Sequence, residues 1–222
     1  MVRVITIDGP SGSGKGTIAK LVAKQLGWHC LDSGALYRLL GLAVERAGVR
    51  DTELGRLVEI AQTMQVQFRE DAVYLNGDEV SQAIRSERAG NAASRVAAVP
   101  QVREALLQWQ REYAQEPGLV ADGRDMGTVV FPSAGVKIYL TASPEERARR
   151  RYKQLKQKGL DANLAALANE IKERDERDTQ RSVAPLMPAA DAWQVESTAL
   201  SIPEVLKMVL ERVYSRYPEL TR

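Results

Sequence analysis

The sequence predicts an α/β protein with three layers, a mostly parallel sheet of five strands and a smaller antiparallel sheet inserted into it. Three features carry that prediction. The apolar run Val2-Arg-Val-Ile-Thr-Ile-Asp8 leads into Gly9-Pro-Ser-Gly-Ser-Gly-Lys-Gly-Thr17, a strand, a glycine-rich turn and a helix start in succession. Short apolar runs then alternate with segments of helical periodicity along the 222 residues, the order that builds a parallel sheet covered by helices on both faces. Residues 64–80 break this rhythm with period-two alternation, the mark of antiparallel strands.

Taken in chain order, Ile18, Leu21, Val22 and Leu26 recur at helical spacing and Gly27 stops that helix. Trp28–Leu31 is a short second strand, and Ser33 is placed to cap a helix carrying Leu36, Leu39, Leu40 and Val44. Val66 and Phe68, a polar Glu70-Asp71 turn, then Val73 and Leu75 before Asn76-Gly77-Asp78 make the small sheet. Helical segments follow on either side of Pro100. Leu119-Val-Ala121, Val136–Leu140 and, more weakly, Ala192–Val195 complete the main sheet. Ser143-Pro-Glu-Glu146 and Ser201-Ile-Pro-Glu204 have the pattern of capping boxes opening helices at about 144–158 and 202–215.

The first turn carries chemistry. Glycines let backbone N–H groups converge on phosphate oxygens with no side chain in the way. The helix that follows adds its unpaired N–H groups and positive dipole end. Lys15 supplies a mobile charge for the outer phosphates. Gly9-x4-Gly14-Lys15 fits the phosphate-loop pattern, although Gly16 intervenes before the hydroxyl of Thr17.

Composition narrows the function. Charged residues make up 27% but the net charge is only +2, so no general attraction to nucleic acid or membrane is expected. A single cysteine, Cys30, excludes an intrachain disulfide, and the single histidine, His29, leaves no histidine triad or histidine-rich metal site. A strand at the very start predicts no signal peptide, no long uncharged apolar stretch is present, and a cytoplasmic monomer is expected.

Arginines gather in a few places. Arg147–Lys158 holds seven basic residues and no acid. Beside a phosphate loop this reads as a lid over triphosphate, where cations stabilise the transferring phosphoryl group and closure excludes water. Asp122-Gly-Arg-Asp125 ends a strand, where open parallel sheets bind ligands. In Glu173-Arg-Asp-Glu-Arg-Asp178 the charges have helical spacing, which puts Arg174, Asp178 and Arg181 near one face. A GTP-hydrolysing switch would need an Asn-Lys-x-Asp motif, which is missing. A shikimate-type kinase would carry Ser or Thr directly after the lysine, and a non-enzymatic nucleotide sensor would have lost arginines that are intact here.

These segments together resemble the nucleoside monophosphate kinases, and among them the bacterial cytidylate kinases. The resemblance runs over nearly the whole chain. It rests on Ile7–Thr17, Leu31-Asp-Ser-Gly-Ala-Leu-Tyr-Arg38, Asn91-Ala-Ala-Ser94, Val102-Arg-Glu104, Ala121–Pro132, Ile171–Asp178 and Arg181-Ser-Val-Ala-Pro-Leu186. Gly-Lys-Gly-Thr is itself characteristic of the group. The resemblance implies a phosphate-loop NTPase core at about 1–35, 86–145 and 182–222, a nucleotide-acceptor insert at about 36–85 and a lid region at about 146–181. It implies transfer of the γ-phosphoryl group of ATP to CMP or dCMP, with UMP the natural rival acceptor, and Mg²⁺ arriving with ATP. By the same resemblance Gly9, Pro10, Ser11, Gly12, Ser13, Gly14, Lys15, Gly16 and Thr17 hold ATP, with Thr17 near the Mg²⁺ shell. Arg147, Arg150 and Arg151 are lid candidates, of which Arg150 is assigned to ATP, and Ser197-Thr-Ala199 flanks the adenine. Arg38, Arg124 and Arg181 grip the acceptor phosphate, and Lys15, Arg124 and Arg181 carry the catalysis. Ser94, Arg103 and Asp125 read the cytosine, while Tyr37, Arg174 and Asp178 face the sugar with Ser33 in the same pocket.

Overall fold

The computed structural model describes residues 2–69, 72–157, 159 and 161–221. Two compact units appear, one formed by the chain up to Leu31 and from Tyr113 onward, the other by Asp32–Glu112. The expected Glu70-Asp71 turn and the end of the basic run at Lys158 lie outside the described residues.

The first unit is built on a sheet of five strands: β1 (Val4–Asp8), β2 (His29–Asp32), β3 (Leu119–Gly123), β4 (Val136–Thr141) and β5 (Trp193–Glu196). Their spatial order is β2-β3-β1-β4-β5. β1 pairs in parallel with β3 and with β4, and β4 in parallel with β5. Alternation along β1 divides its faces. Ile5 and Ile7 pack with Ile18, Ala19 and Val22 of α1 (Lys15–Leu26) and with Val205, Val209 and Val213 of α2 (Ile202–Arg216). Thr6 and Asp8 point the other way, towards a π-helical turn at Met126–Val130. The stop of α1 at Gly27 and the start of α2 at Ile202 agree with the sequence expectation. The capping box at Ser201 is complete, with Ser201 and Glu204 satisfying each other's backbone.

Two further helices belong to this unit, α3 (Pro144–Gln157) and α4 (Leu164–Thr179). The Glu146 N–H donates to Ser143 Oγ, which caps α3. The expected box is only half made, because the Ser143 N–H goes to Thr198 Oγ1 and the Glu146 carboxylate to Arg149 and Arg150. α4 ends at Thr179, so Arg181 lies past the helix and not on its face. It still returns to that end, because its Nε donates to the carbonyl of Asp178 at 3.1 Å. His29 has a structural bond, its Nε2 meeting the carbonyl of Glu116 at 3.0 Å.

The second unit contains α5 (Ser33–Arg46), α6 (Leu54–Thr63), α7 (Glu87–Val96) and α8 (Pro100–Glu112). With them lies an antiparallel sheet of β6 (Val66–Arg69), β7 (Ala72–Leu75) and β8 (Asp78–Glu79). Two corrections arise here. The cap of α5 is Asp32, whose carboxylate accepts the Ala35 N–H at 2.8 Å, and Ser33 is already the first helical residue. An aspartate one place earlier outcompetes the serine because its carboxylate reaches the open N–H groups. Residues 86–112, expected with the core, pack instead on α5 and α6. Leu36, Leu40, Leu57, Val96, Val102 and Leu106 share one apolar cluster, and burying those faces together leaves α7 and α8 in this unit. Pro100 opens α8, where its missing N–H costs nothing.

Among the described residues, no helix is long and apolar enough to cross a membrane. Leu106 is 1% exposed within the four-helix cluster. Leu106→Ala should destabilise the protein by about 2–5 kcal/mol in denaturant unfolding followed by circular dichroism.

Candidate active site

The site grows from the carboxyl end of the main sheet. In register, Asp8 of β1 stands beside Gly123 of β3 and Tyr139 of β4. The loops that leave β1 and β3 therefore begin side by side, at the end of a parallel sheet where ligands bind.

Residues 9–14 form the first loop. Gly9 has φ +154°, and a Cβ there would collide with the carbonyl of Leu140. Gly14 holds a left-handed conformation (φ 92°, ψ −1°) at the N-cap of α1, and no side chain caps that helix. A bare glycine turn thus delivers the helix N-terminus with its N–H groups open to an anion. The Lys15 ammonium folds over the loop to the carbonyl of Pro10 at 3.1 Å. Thr17 is exposed on the first turn of α1.

Helix α3 braces this loop from outside. The Arg147 side chain is buried; its Nε donates to the carbonyl of Ala142 at 3.0 Å and its Nη1 to that of Ser11 at 2.9 Å. The same guanidinium pairs with Asp175 of α4 at 2.6 Å. Arg150 donates to the carbonyl of Ser13 at 3.2 Å, to Ser197 Oγ at 3.2 Å and to the Ser197 carbonyl, while Glu146 holds its Nε. Arg151 turns aside to Gln154. Of the three lid candidates, Arg147 and Arg150 meet the phosphate loop.

The second loop carries Arg124 and Asp125. Arg124 is paired with Asp178 of α4 at 2.8 Å, and the two side chains are 14% and 5% exposed. Burial opposes the charged form of Arg124, yet Asp178, Asp175 and Asp122 together raise its pKa above the ordinary arginine value. Burial likewise opposes the Asp178 carboxylate, but Arg124, Arg174 and Arg181 outweigh it and hold its pKa below the usual range. Arg174 also reaches Ser11 Oγ at 3.5 Å. Three expected phosphate or sugar ligands, Arg124, Arg174 and Arg181, thus converge on the fourth, Asp178.

In the second unit, Tyr37, Ser94 and Arg103 are buried, as is Ser33 at the start of α5. The Arg103 guanidinium lies over the Tyr37 ring, 5.4 Å from its centroid, and donates to the carbonyl of Ala97 at 3.2 Å. Arg38 donates to the carbonyl of Ile84 at 2.7 Å. Tyr37 and Arg103 are therefore brought together by the packing of α5, α7 and α8.

Two residues with no assigned role in the sequence stand at the site. Asp122 lies against the first turn of α1, its carboxylate 3.6 Å from where a Gly16 Cβ would be. Asp8 is 4% exposed. Its Oδ1 accepts the Met126 N–H at 2.9 Å and its Oδ2 the Gly127 N–H at 2.8 Å. The visible signal for both was an acid at the carboxyl end of a central strand.

A phosphate loop on the central strand, with guanidinium groups from the neighbouring strand end and two helices about it, defines a P-loop kinase, a nucleotide-binding phosphotransferase. The family profile described as cytidylate kinase matches residues 5–215. A cytidylate kinase of Stutzerimonas stutzeri is 60% identical over 221 residues, spanning 97% of this chain and 96% of that protein. One from Aeromonas hydrophila is 59% identical, covering 95% and 93%. The chain belongs to the cytidylate kinase family. A gluconokinase structure from Sinorhizobium meliloti shares the fold, with a TM-score of 0.50 at 14% identity over 99% of this chain and 98% of that one.

Asp8 gives the site a pH signature. Burial pushes its carboxyl up from 3.8 to about 6; the N–H bonds of Gly127 and Met126 pull it down, Asp125 adds to the rise and Lys15 subtracts from it. Because the folded-state pKa exceeds the unfolded one, this contribution to stability is whole below pH 3.8 and is lost as pH rises through about 6. The loss amounts to about 3 kcal/mol at neutral pH. Asp8→Asn cannot ionise, so the Tm of the wild type relative to that variant should fall by about 5–10 °C between pH 4 and pH 7. A pH-independent difference in thermal melts would contradict this.

Proposed function

We propose that this chain transfers the γ-phosphoryl group of ATP to CMP or dCMP, giving ADP and CDP or dCDP, with the residues above in the following roles. The observation that carries the assignment is the convergence of Arg124, Arg174 and Arg181 on Asp178 of α4, with Arg124 following the strand end that adjoins the phosphate loop. Three guanidinium groups gather about Asp178, and their forked donors match the oxygens of a phosphate.

The N-terminal N–H groups of α1, the backbone of residues 9–17 and Lys15 hold the β- and γ-phosphates, and Arg150 supports them through the loop it already touches. Arg124 and Arg181 grip the acceptor phosphate, a role that the family resemblance also implies for Arg38. Asp178 fixes the direction of Arg124, in addition to the contact with the sugar that the family resemblance implies for Asp178, Arg174 and Tyr37, beside Ser33. Ser94, Arg103 and Asp125 read the cytosine edge, which offers an amino donor and two acceptors to a carboxylate and donor groups.

The residues suit Mg²⁺ carried in by ATP. The Thr17 hydroxyl is exposed and the Asp122 carboxylate stands at the same turn, and these are oxygen groups of the kind Mg²⁺ accepts. Among the described residues no group of three His, Cys, Asp or Glu side chains is disposed to hold a metal unaided. When bound, the ion would neutralise charge between the phosphates.

The reaction needs no general base. An acceptor phosphate oxygen, already ionised near neutral pH, attacks the γ-phosphorus; that O–P bond forms as the bond to the β–γ bridging oxygen breaks and ADP leaves. What the protein supplies is alignment and positive charge.

A coupled ADP-release assay offering CMP, dCMP, UMP, AMP, GMP and shikimate should show strong turnover with CMP and dCMP; preference for another acceptor would overturn the base assignment. Lys15→Ala should lower kcat by about 10²–10³-fold or more while far-UV circular dichroism stays unchanged. Asp125→Ala should cut kcat/KM for CMP far more than it alters ATP affinity, and an equal loss for CMP and UMP would remove Asp125 from base reading.

A further inference from the structure

We propose that Asp8 is a positioning residue for acceptor recognition, its carboxylate fixing the turn that carries Arg124 and Asp125 beside the phosphate loop. The proposal rests on the reading of those two residues as acceptor ligands. Asp8 immediately precedes Gly9, so its backbone belongs to the donor side. Its two oxygens take the two N–H groups that directly follow Asp125, at 2.9 and 2.8 Å. One side chain therefore ties the start of the donor loop to the end of the acceptor turn.

The chemistry of the grip favours a carboxylate. Two N–H groups point at two oxygens, and only an ionised carboxylate offers two acceptors and no donor. Asparagine would set its own amide N–H against one of them, and serine has a single oxygen. The turn is a wide π-helical one closed by its own backbone, since the N–H of Val130 reaches the Asp125 carbonyl at 3.1 Å and that of Phe131 the Met126 carbonyl at 2.7 Å. Fixing its first two N–H groups thus fixes where it begins. Glycine at 127 is part of the device. A Cβ there would stand 2.9 Å from Thr6 Oγ1 and 3.4 Å from Asp8 Oδ2, which would lift the backbone off the strand.

The buried location is costly for an anion, because Asp125 lies near and burial opposes the charge, with Lys15 as the opposing cation. A carboxylate that served only to fill space would be replaceable by an apolar side chain at a gain in stability. Here the charge is retained where one side chain joins the start of the donor loop to the acceptor turn.

The test is steady-state kinetics with ATP, CMP and UMP for the wild type, Asp8→Asn, Asp125→Asn and the double variant. Asp8→Asn should raise KM for CMP about tenfold or more and shrink the CMP-over-UMP ratio of kcat/KM. KM for ATP should stay within about twofold of the wild type, and the CMP-over-UMP ratio of the double variant should fall little below that of Asp125→Asn alone. An Asp8→Asn change that shrinks the CMP-over-UMP ratio as much in the Asp125→Asn background as in the wild type, or Asp8→Asn losing CMP and ATP equally, would overturn the proposal alone. Asp125→Asn with unchanged CMP preference would overturn the acceptor reading and the proposal with it. Should Asp8→Asn not fold, Gly127→Ala should give the same signature. Amide hydrogen exchange of the wild type provides the independent check: protected Met126 and Gly127 N–H groups are expected, and rapid exchange would sink the idea.

Discussion

The in-register parallel pairing of β1 with β3 is the constraint on which the catalytic unit depends. Parallel neighbours end on the same side, so Asp8 against Gly123 makes the phosphate loop and the Arg124–Asp125 turn leave the sheet together. The same register buries Ile5 and Ile7 against α1 and α2. A slip of one residue would turn those isoleucines out of the core and Asp8 away from the turn. Hydrophobic burial and site geometry are thus one requirement, and the large favourable term enforces the small precise one.

Buried ion pairs carry that precision outward. Arg147 links Ser11 of the phosphate loop to Asp175 of α4, and three residues along that helix Asp178 holds Arg124. Such pairs add little net stability over an apolar pair, but removing one partner strands a buried charge at a cost of about 3–5 kcal/mol. Their value is directional: a planar guanidinium with several fixed donors holds one orientation. Exposed pairs such as Arg56–Glu59 and Lys207–Glu211 are solvated and contribute at most a few tenths of a kcal/mol.

Local features were legible before the fold was known. The phosphate loop is written in consecutive residues, because the turn, its glycines and the helix that follows are set within one stretch of chain. The capping box of Ser201 and Glu204 is equally local, and so is the alternation of Val66, Phe68, Val73 and Leu75. Illegible were the features that depend on competition or distance. Asp32 and Ser33 both suit a cap, and only the backbone direction at the end of β2 chose Asp32. The basic run has several arginines of equal composition, and packing alone separated Arg147, Arg150 and Arg151 by what each one meets.

By itself, the sequence determined the α/β class, the strand–phosphate loop–helix unit, the inserted antiparallel sheet and the membership of the kinase family, since periodicity, glycine placement and ordered motifs are properties of short segments. The tertiary structure decided that α7 and α8 pack with α5, that Arg181 lies past the end of its helix, and that Asp8 grips a turn 118 residues away. Those outcomes depend on which apolar faces are buried together and which buried N–H groups then need an acceptor. Both are settled only when the whole chain has closed on its core.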